Sequence, residues 1–167
     1  MFVAHLPAGY IAVTLYTKYK KALPCWQYYL ALASSILPDL DLLYFYVLSD
    51  RSIVHHRYWF HMPFFWLGIY VFTLIFAKFS RIRAIYKPAT FMLIGVFIHL
   101  ILDSVAGGIL WLYPFSDLSY ALIKVPSRYS FWVLNYVFHW VFYLEIFLVL
   151  TALYLLIGDF LKDRGWK

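Results

Sequence analysis

The chain has 167 residues, a net charge of +6 and only 13% charged residues, against 65% hydrophobic and 23% aromatic. A water-soluble domain of this length carries about a quarter charged residues and cannot hide so much apolar surface, so the composition excludes one and points to an integral membrane protein. Nucleic-acid binding is excluded as well, because the lysines and arginines stand in short runs between apolar stretches rather than along one face interleaved with aromatics.

In chain order, residues 2–17 form a short apolar segment carrying Pro7 and Gly9, which reads as a short spanning helix or a re-entrant one. Its lack of a basic start, with His5 and Pro7 inside it, argues against a cleavable leader. Stretches at 26–48, 59–77, 88–112 and 131–158 follow, each long enough to cross a hydrocarbon core of roughly 30 Å as a helix. Pro38 interrupts the first of these four, because proline removes a backbone donor and disfavours helix at the residue before it. Broken helices at membrane depth are tolerated where they line a polar cavity. The expected fold is all-α, a polytopic membrane protein of four to five transmembrane helices, one of them broken or re-entrant, forming a single domain over residues 1–167. Cys25 is the single cysteine, which excludes an internal disulfide and a cysteine-based zinc site.

The basic residues orient these segments. Lys18, Lys20 and Lys21 follow the first segment, Lys78, Arg81, Arg83 and Lys87 lie between the third and fourth, and Lys162, Arg164 and Lys167 come last. These regions alternate with five spans, and the opposite loops hold only Arg51, Arg57, Lys124 and Arg128. The positive-inside rule then puts the C-terminus in the cytoplasm and the N-terminus outside. If 2–17 re-enters, the N-terminus is cytoplasmic and the longer spans keep their orientation.

Set in that frame, the polar residues that are costly inside a membrane gather toward the extracytoplasmic side: His5, Asp39 and Asp41 after Pro38, His55, His56 and His61, and His99 with Asp103. Histidine and aspartate together are the usual ligands of a catalytic divalent metal. His99 and Asp103 are four apart and share a helical face, so both can reach one ion, or the aspartate can orient the imidazole. The bland alternative is a neutral histidine hydrogen-bonded to a buried aspartate. Asp39 and Asp41 can face one cavity if the backbone after Pro38 is irregular; the lesser alternative makes Asp39 a helix N-cap, which leaves Asp41 unexplained. Arg57 beside His56 suits bidentate grip of a phosphate or carboxylate, or snorkels to headgroups within the aromatic run Tyr58–Phe60. Gly107 and Gly108 allow close approach of a ligand or simply end a helix, and Ser116 binds an oxyanion or stabilises a turn. Ser34 and Ser35 read as small residues for helix packing. His139 reads as a packing or supporting residue, and Glu145 is a buried acid with no assigned role, open to pairing with a polar side chain on another helix.

The order His5, Pro38-Asp39-Leu40-Asp41, His56-Arg57 with His61, His99 with Leu102-Asp103, and Pro114-Phe115-Ser116 resembles the bacterial YdjM-like membrane-bound metal-dependent hydrolases, described as LexA-regulated inner-membrane proteins. The resemblance runs from about residue 5 to residue 117. Tyr58-Trp59-Phe60 depart from it, standing where the family has glycine after His-Arg and a small or hydroxyl residue before the next histidine. The family is distantly similar to zinc-dependent phospholipase C. The resemblance implies a multi-pass protein of the bacterial inner membrane. It also implies a divalent metal, zinc first, as one or two ions. The expected ligands are His5, Asp39, Asp41, His61, His99 and Asp103, with His56 as ligand or general base and Arg57 steadying the substrate. The expected function is hydrolysis of a phosphoester or ester lipid from the extracytoplasmic side; the alternative is a non-enzymatic protein that binds or moves a divalent metal.

Overall fold

A computed structural model describes residues 3–20, 22–48 and 55–163. Lys21, Arg51, Arg164 and Lys167, used above to orient the chain, lie outside the described residues. The described chain is helical: α1 (His5–Tyr19), α2 (Cys25–Ser34), a 3-10 turn Leu37–Leu40 leading into α3 (Asp41–Val47), 3-10 turns His55–Arg57 and Trp59–His61, α4 (Pro63–Phe79), α5 (Tyr86–Ala106), α6 (Trp132–Val137) and α7 (Trp140–Asp163). Between α5 and α6 the chain is irregular, with one isolated bridge pairing Ile109 and Tyr120.

Sequence explains where these helices break. Pro38 stops α2 and bends the chain by 63° into the pair Leu37–Val47. Pro63 opens α4 at its first position, where a missing N–H costs nothing. The far end of α4 closes with Arg81 at φ 59° and Ile82 N–H returning to the Ala77 carbonyl at 2.9 Å, a left-handed cap without glycine.

His5 at the start of α1, Ser35 after α2, His61 just before α4 and Asp103 near the end of α5 meet one another. The long helices α1, α2, α4 and α5 therefore run alternately away from and toward one end of a bundle. α7 runs alongside α1 in the same direction, touching it near Val3 and Ala4 at the site end and through a 2.9 Å Lys18–Asp159 ion pair at the other. The described basic residues that follow α1, join α4 to α5 and close α7 thus lie at the end opposite the histidines.

Two described helical segments, Arg83–Ala106 and Trp140–Lys162, are long and apolar enough to cross a membrane, and a third counts if the bent pair Cys25–Ser34 with Leu37–Val47 is one span. That is fewer than the four to five expected. α1 has 15 residues and α4 has 17, so each covers only about 22–26 Å at the helical rise. The stretch at 59–77 loses its start because Trp59–His61 forms the separate turn that delivers His61. The packed interior is small, centred on Trp66, Val96 and Leu100, while Phe72, Phe79, Phe147 and Tyr154 stand exposed, as expected where the surroundings are apolar. Glycines allow close packing beside the site: a Cβ on Gly9 or Gly95 would collide with the hydroxyl of Ser35 or Ser34 respectively.

Candidate metal centre

Pro38 does more than break a helix. It cannot donate to the carbonyl of Ser34, and Asp39 N–H turns to the Ile36 carbonyl at 3.2 Å. The Ser35 carbonyl then accepts a 2.9 Å hydrogen bond from His99 Nδ1 on α5. A carbonyl only accepts, so Nδ1 carries the proton and a neutral His99 presents the lone pair of Nε2. On the other side Asp41, buried at the start of α3, accepts from His61 Nδ1 at 2.6 Å and fixes the same tautomer there. The turn holding His61 is braced by Trp66 of α4, whose indole N–H donates to the Phe60 carbonyl at 2.7 Å.

The two Nε2 atoms lie 3.3 Å apart and face one carboxylate oxygen, Asp103 Oδ2, at 3.3 Å from His61 and 3.1 Å from His99. His56 Nε2 approaches the same oxygen at 3.4 Å, and His5 Nε2 lies 3.2 Å from Asp103 Oδ1. Asp39 Oδ1 stands 3.6 Å from His99 Nε2 and 3.9 Å from His61 Nε2. The His5 ring stacks on His99 at 3.7 Å between centroids. His5, His61, His99 and Asp103 are essentially sealed from solvent, whereas the side chains of Asp39 and His56 keep 29% and 16% exposure and mark the open side.

Lone pairs of two neutral imidazoles aimed at each other and at a carboxylate repel unless a positive charge lies between them. A proton can supply it, and so can a metal ion. Bonds of about 2.1 Å to nitrogen and oxygen in tetrahedral array put neighbouring ligand atoms about 3.4 Å apart. The three atoms His61 Nε2, His99 Nε2 and Asp103 Oδ2, separated by 3.1–3.3 Å, fit that spacing. Three overlapping groups can each hold an ion: His5, His99 and Asp103; Asp39, His61 and His99; His56, His61 and Asp103.

The cluster therefore brings together His5, Asp39, His56, His61, His99 and Asp103. Asp41 joins it from behind, so that Asp39 and Asp41 approach opposite nitrogens of one imidazole. Asp39 does not cap α3, whose start has no side-chain cap. Arg57 is exposed, and among the described residues it forms no ion pair. Ser116 accepts from Leu118 N–H at 3.3 Å in a local turn, and His139 Nδ1 accepts from Val141 N–H at 3.4 Å at the start of α7. Gly107 is where His56 packs: an added Cβ would lie 2.5 Å from His56 Cε1. Sequence reasoning missed the Ser35 carbonyl and Trp66. The proline three residues after Ser35 is the signal that a carbonyl would be released.

No curated protein and no solved structure matches the chain. A family model, described as YdjM inner membrane protein, matches residues 1–164. A match over nearly the whole length, on a helical chain whose histidines and aspartates converge at one end, settles the family: the chain belongs to the YdjM inner membrane proteins.

Proposed function

We propose that this protein is a membrane-embedded metal-dependent hydrolase acting on a phosphoester or ester lipid from the extracytoplasmic side of the bacterial inner membrane. The observation that carries it is the convergence of two tautomer-fixed Nε2 lone pairs on Asp103 Oδ2. His5, Asp39, His61, His99 and Asp103 would hold one or two divalent ions, zinc first, with Asp41 orienting His61. Asp103 turns one oxygen to His5 and the other to His56, His61 and His99, so it would take part in holding an ion in either group of residues. A bound divalent cation supplies Lewis acidity toward a phosphoryl or acyl oxygen and activates water at neutral pH. His56, on the open side, is placed to take and return a proton, and Arg57 beside it can meet an anionic headgroup. An apolar groove of about 490 Å³, lined by Trp59, Met62, Phe64, Gly68, Phe72 and Tyr113, adjoins the turn that carries His61 and suits the chain of a lipid.

The arrangement of basic residues supports a cytoplasmic C-terminus, with α1, α2 plus α3, α4, α5 and α7 as five traverses, the short ones matched to a locally thinned bilayer. The competing reading is a protein that binds or moves a metal without chemistry. Against transport, every buried acid and histidine among the described residues (His5, Asp41, His61, His99, Asp103, Glu145) sits at the site end. Metal analysis of the detergent-purified chain beside the His99→Ala/Asp103→Ala variant tests the centre. Stoichiometric zinc or manganese lost in the variant, with turnover of a lipid phosphoester lost alongside, is the expected result. An inserted, folded wild type that takes up no metal even on reconstitution would sink the hydrolase.

A further inference from the structure

Glu145 lies fully buried in α7, the helix least covered by the rest of the protein: 11% of its membrane-length window is buried, against 39% for α5. Its carboxylate is nevertheless fully engaged. Oε2 accepts from the backbone N–H groups of Val3 at 2.6 Å and Ala4 at 3.2 Å, and Oε1 accepts from the hydroxyl of Tyr136 on α6. Val3 and Ala4 lead directly into α1, which has no side-chain cap from its own N-cap residue. N–H groups at a helix start need acceptors, and negative charge is favourable there. Glu145 supplies both from another helix. The next residue is His5, buried against His99 and Asp103.

We infer that Glu145 is a positioning residue for the histidine–aspartate cluster: together with Tyr136 it pins the first turn of α1 and thereby sets His5 against Asp103 and His99. α7 is then a strap that completes the site and not merely a membrane anchor. The ion pair Lys18–Asp159 fastens the same two helices at their other end. The inference rests on the cluster being the functional centre, and its test separates the two.

The full chain in detergent is treated with diethyl pyrocarbonate, and carbethoxylation of each histidine is followed by mass spectrometry. Buried His5 is protected in the wild type. Glu145→Ala should raise its modification rate about tenfold or more, with His61 and His99 still protected. Glu145→Gln keeps an acceptor oxygen for the two N–H groups and should fall between, and Tyr136→Phe should give a smaller rise. Continued protection of His5 in Glu145→Ala, in a chain whose His61 and His99 are also protected, overturns the inference. If Glu145→Ala exposes all three, the two milder variants decide: a rise at His5 alone supports the role, and no rise or a uniform rise overturns it. Cobalt(II) affinity supplies the second arm. Glu145→Gln should weaken cobalt binding in the wild-type background and leave it unchanged in His5→Ala, whereas an equal loss in both overturns positioning through His5. A wild type that binds no cobalt while His5 still responds to Glu145 removes the metal and leaves the positioning role standing.

Discussion

Asp103 on α5 and Glu145 on α7 are both buried carboxylates at the same end of the bundle, and they are held in opposite ways. Glu145 is met by donors that can only donate, two backbone N–H groups, and by a hydroxyl that gives it a proton to share. Asp103 is met by imidazole nitrogens, two of which have already committed their protons to Ser35 and Asp41 on their far sides. A carboxylate answered by donors is a finished structural element. One answered by lone pairs leaves a demand for positive charge, and burial makes that demand expensive to ignore. The difference lies in the partners' chemistry and not in depth, so burial alone would have ranked the two acids equally.

The largest effect should come from Asp103→Asn. An amide brings N–H donors to the waiting nitrogens, so the variant should lose all bound metal while its metal-free form becomes more heat-stable, by a gain on the order of 1–3 kcal/mol. Thermal unfolding of the metal-free proteins in detergent would read it, and a metal-free Asp103→Asn less stable than wild type would break the contrast. Next is Asp41→Asn. Removing the charge behind His61 should weaken metal affinity about 10–100-fold without abolishing binding, as outer partners of metal-bound histidines do; titration with cobalt distinguishes this from the total loss expected of a direct ligand. Gly107→Ala should keep the metal yet slow turnover, because the added methyl meets His56 at 2.5 Å and the Asp103 carbonyl at 3.1 Å; unchanged kcat would remove His56 from the chemistry. Gly68→Trp should act on substrate alone. Open space surrounds the missing side chain in the groove, so KM for a long-chain lipid should rise while that for a short-chain ester holds. The smallest effect belongs to Lys18→Ala, whose exposed ion pair with Asp159 should contribute nothing measurable to metal content.

How much of this was written in the sequence varies residue by residue. His99 and Asp103 were readable because four positions on a helix is a fixed distance. Pro38 announced a break, and the positive runs announced which helix ends lie together. The partnership of Asp41 was not readable, because whether two aspartates two apart reach one ion or two sides of one ring depends on the 3-10 turn between them. Pro38 signals that a nearby carbonyl is released, but not that the ring of His99, 64 residues on, takes the one at Ser35. Glu145 stayed unassigned because two of its partners are backbone groups more than 140 positions away, while the Tyr136 hydroxyl is a side chain of the kind a sequence offers. Fewer helices reach full membrane length than the apolar stretches suggested, in part because α4 starts only at Pro63, after the turn that presents His61.

The same long separation bears on how the protein comes into being. A chain enters the membrane in the order it is made, so the acid that fixes the helix of His5 emerges some 140 residues after it. His61, His99 and Asp103 can find one another once α5 is in place, but the fourth side of the cluster waits for α7. A ribosome-bound intermediate ending before Glu145 would carry a loose α1 beside a partly built cluster. α7, made after α1, thus closes the site that α1 opens.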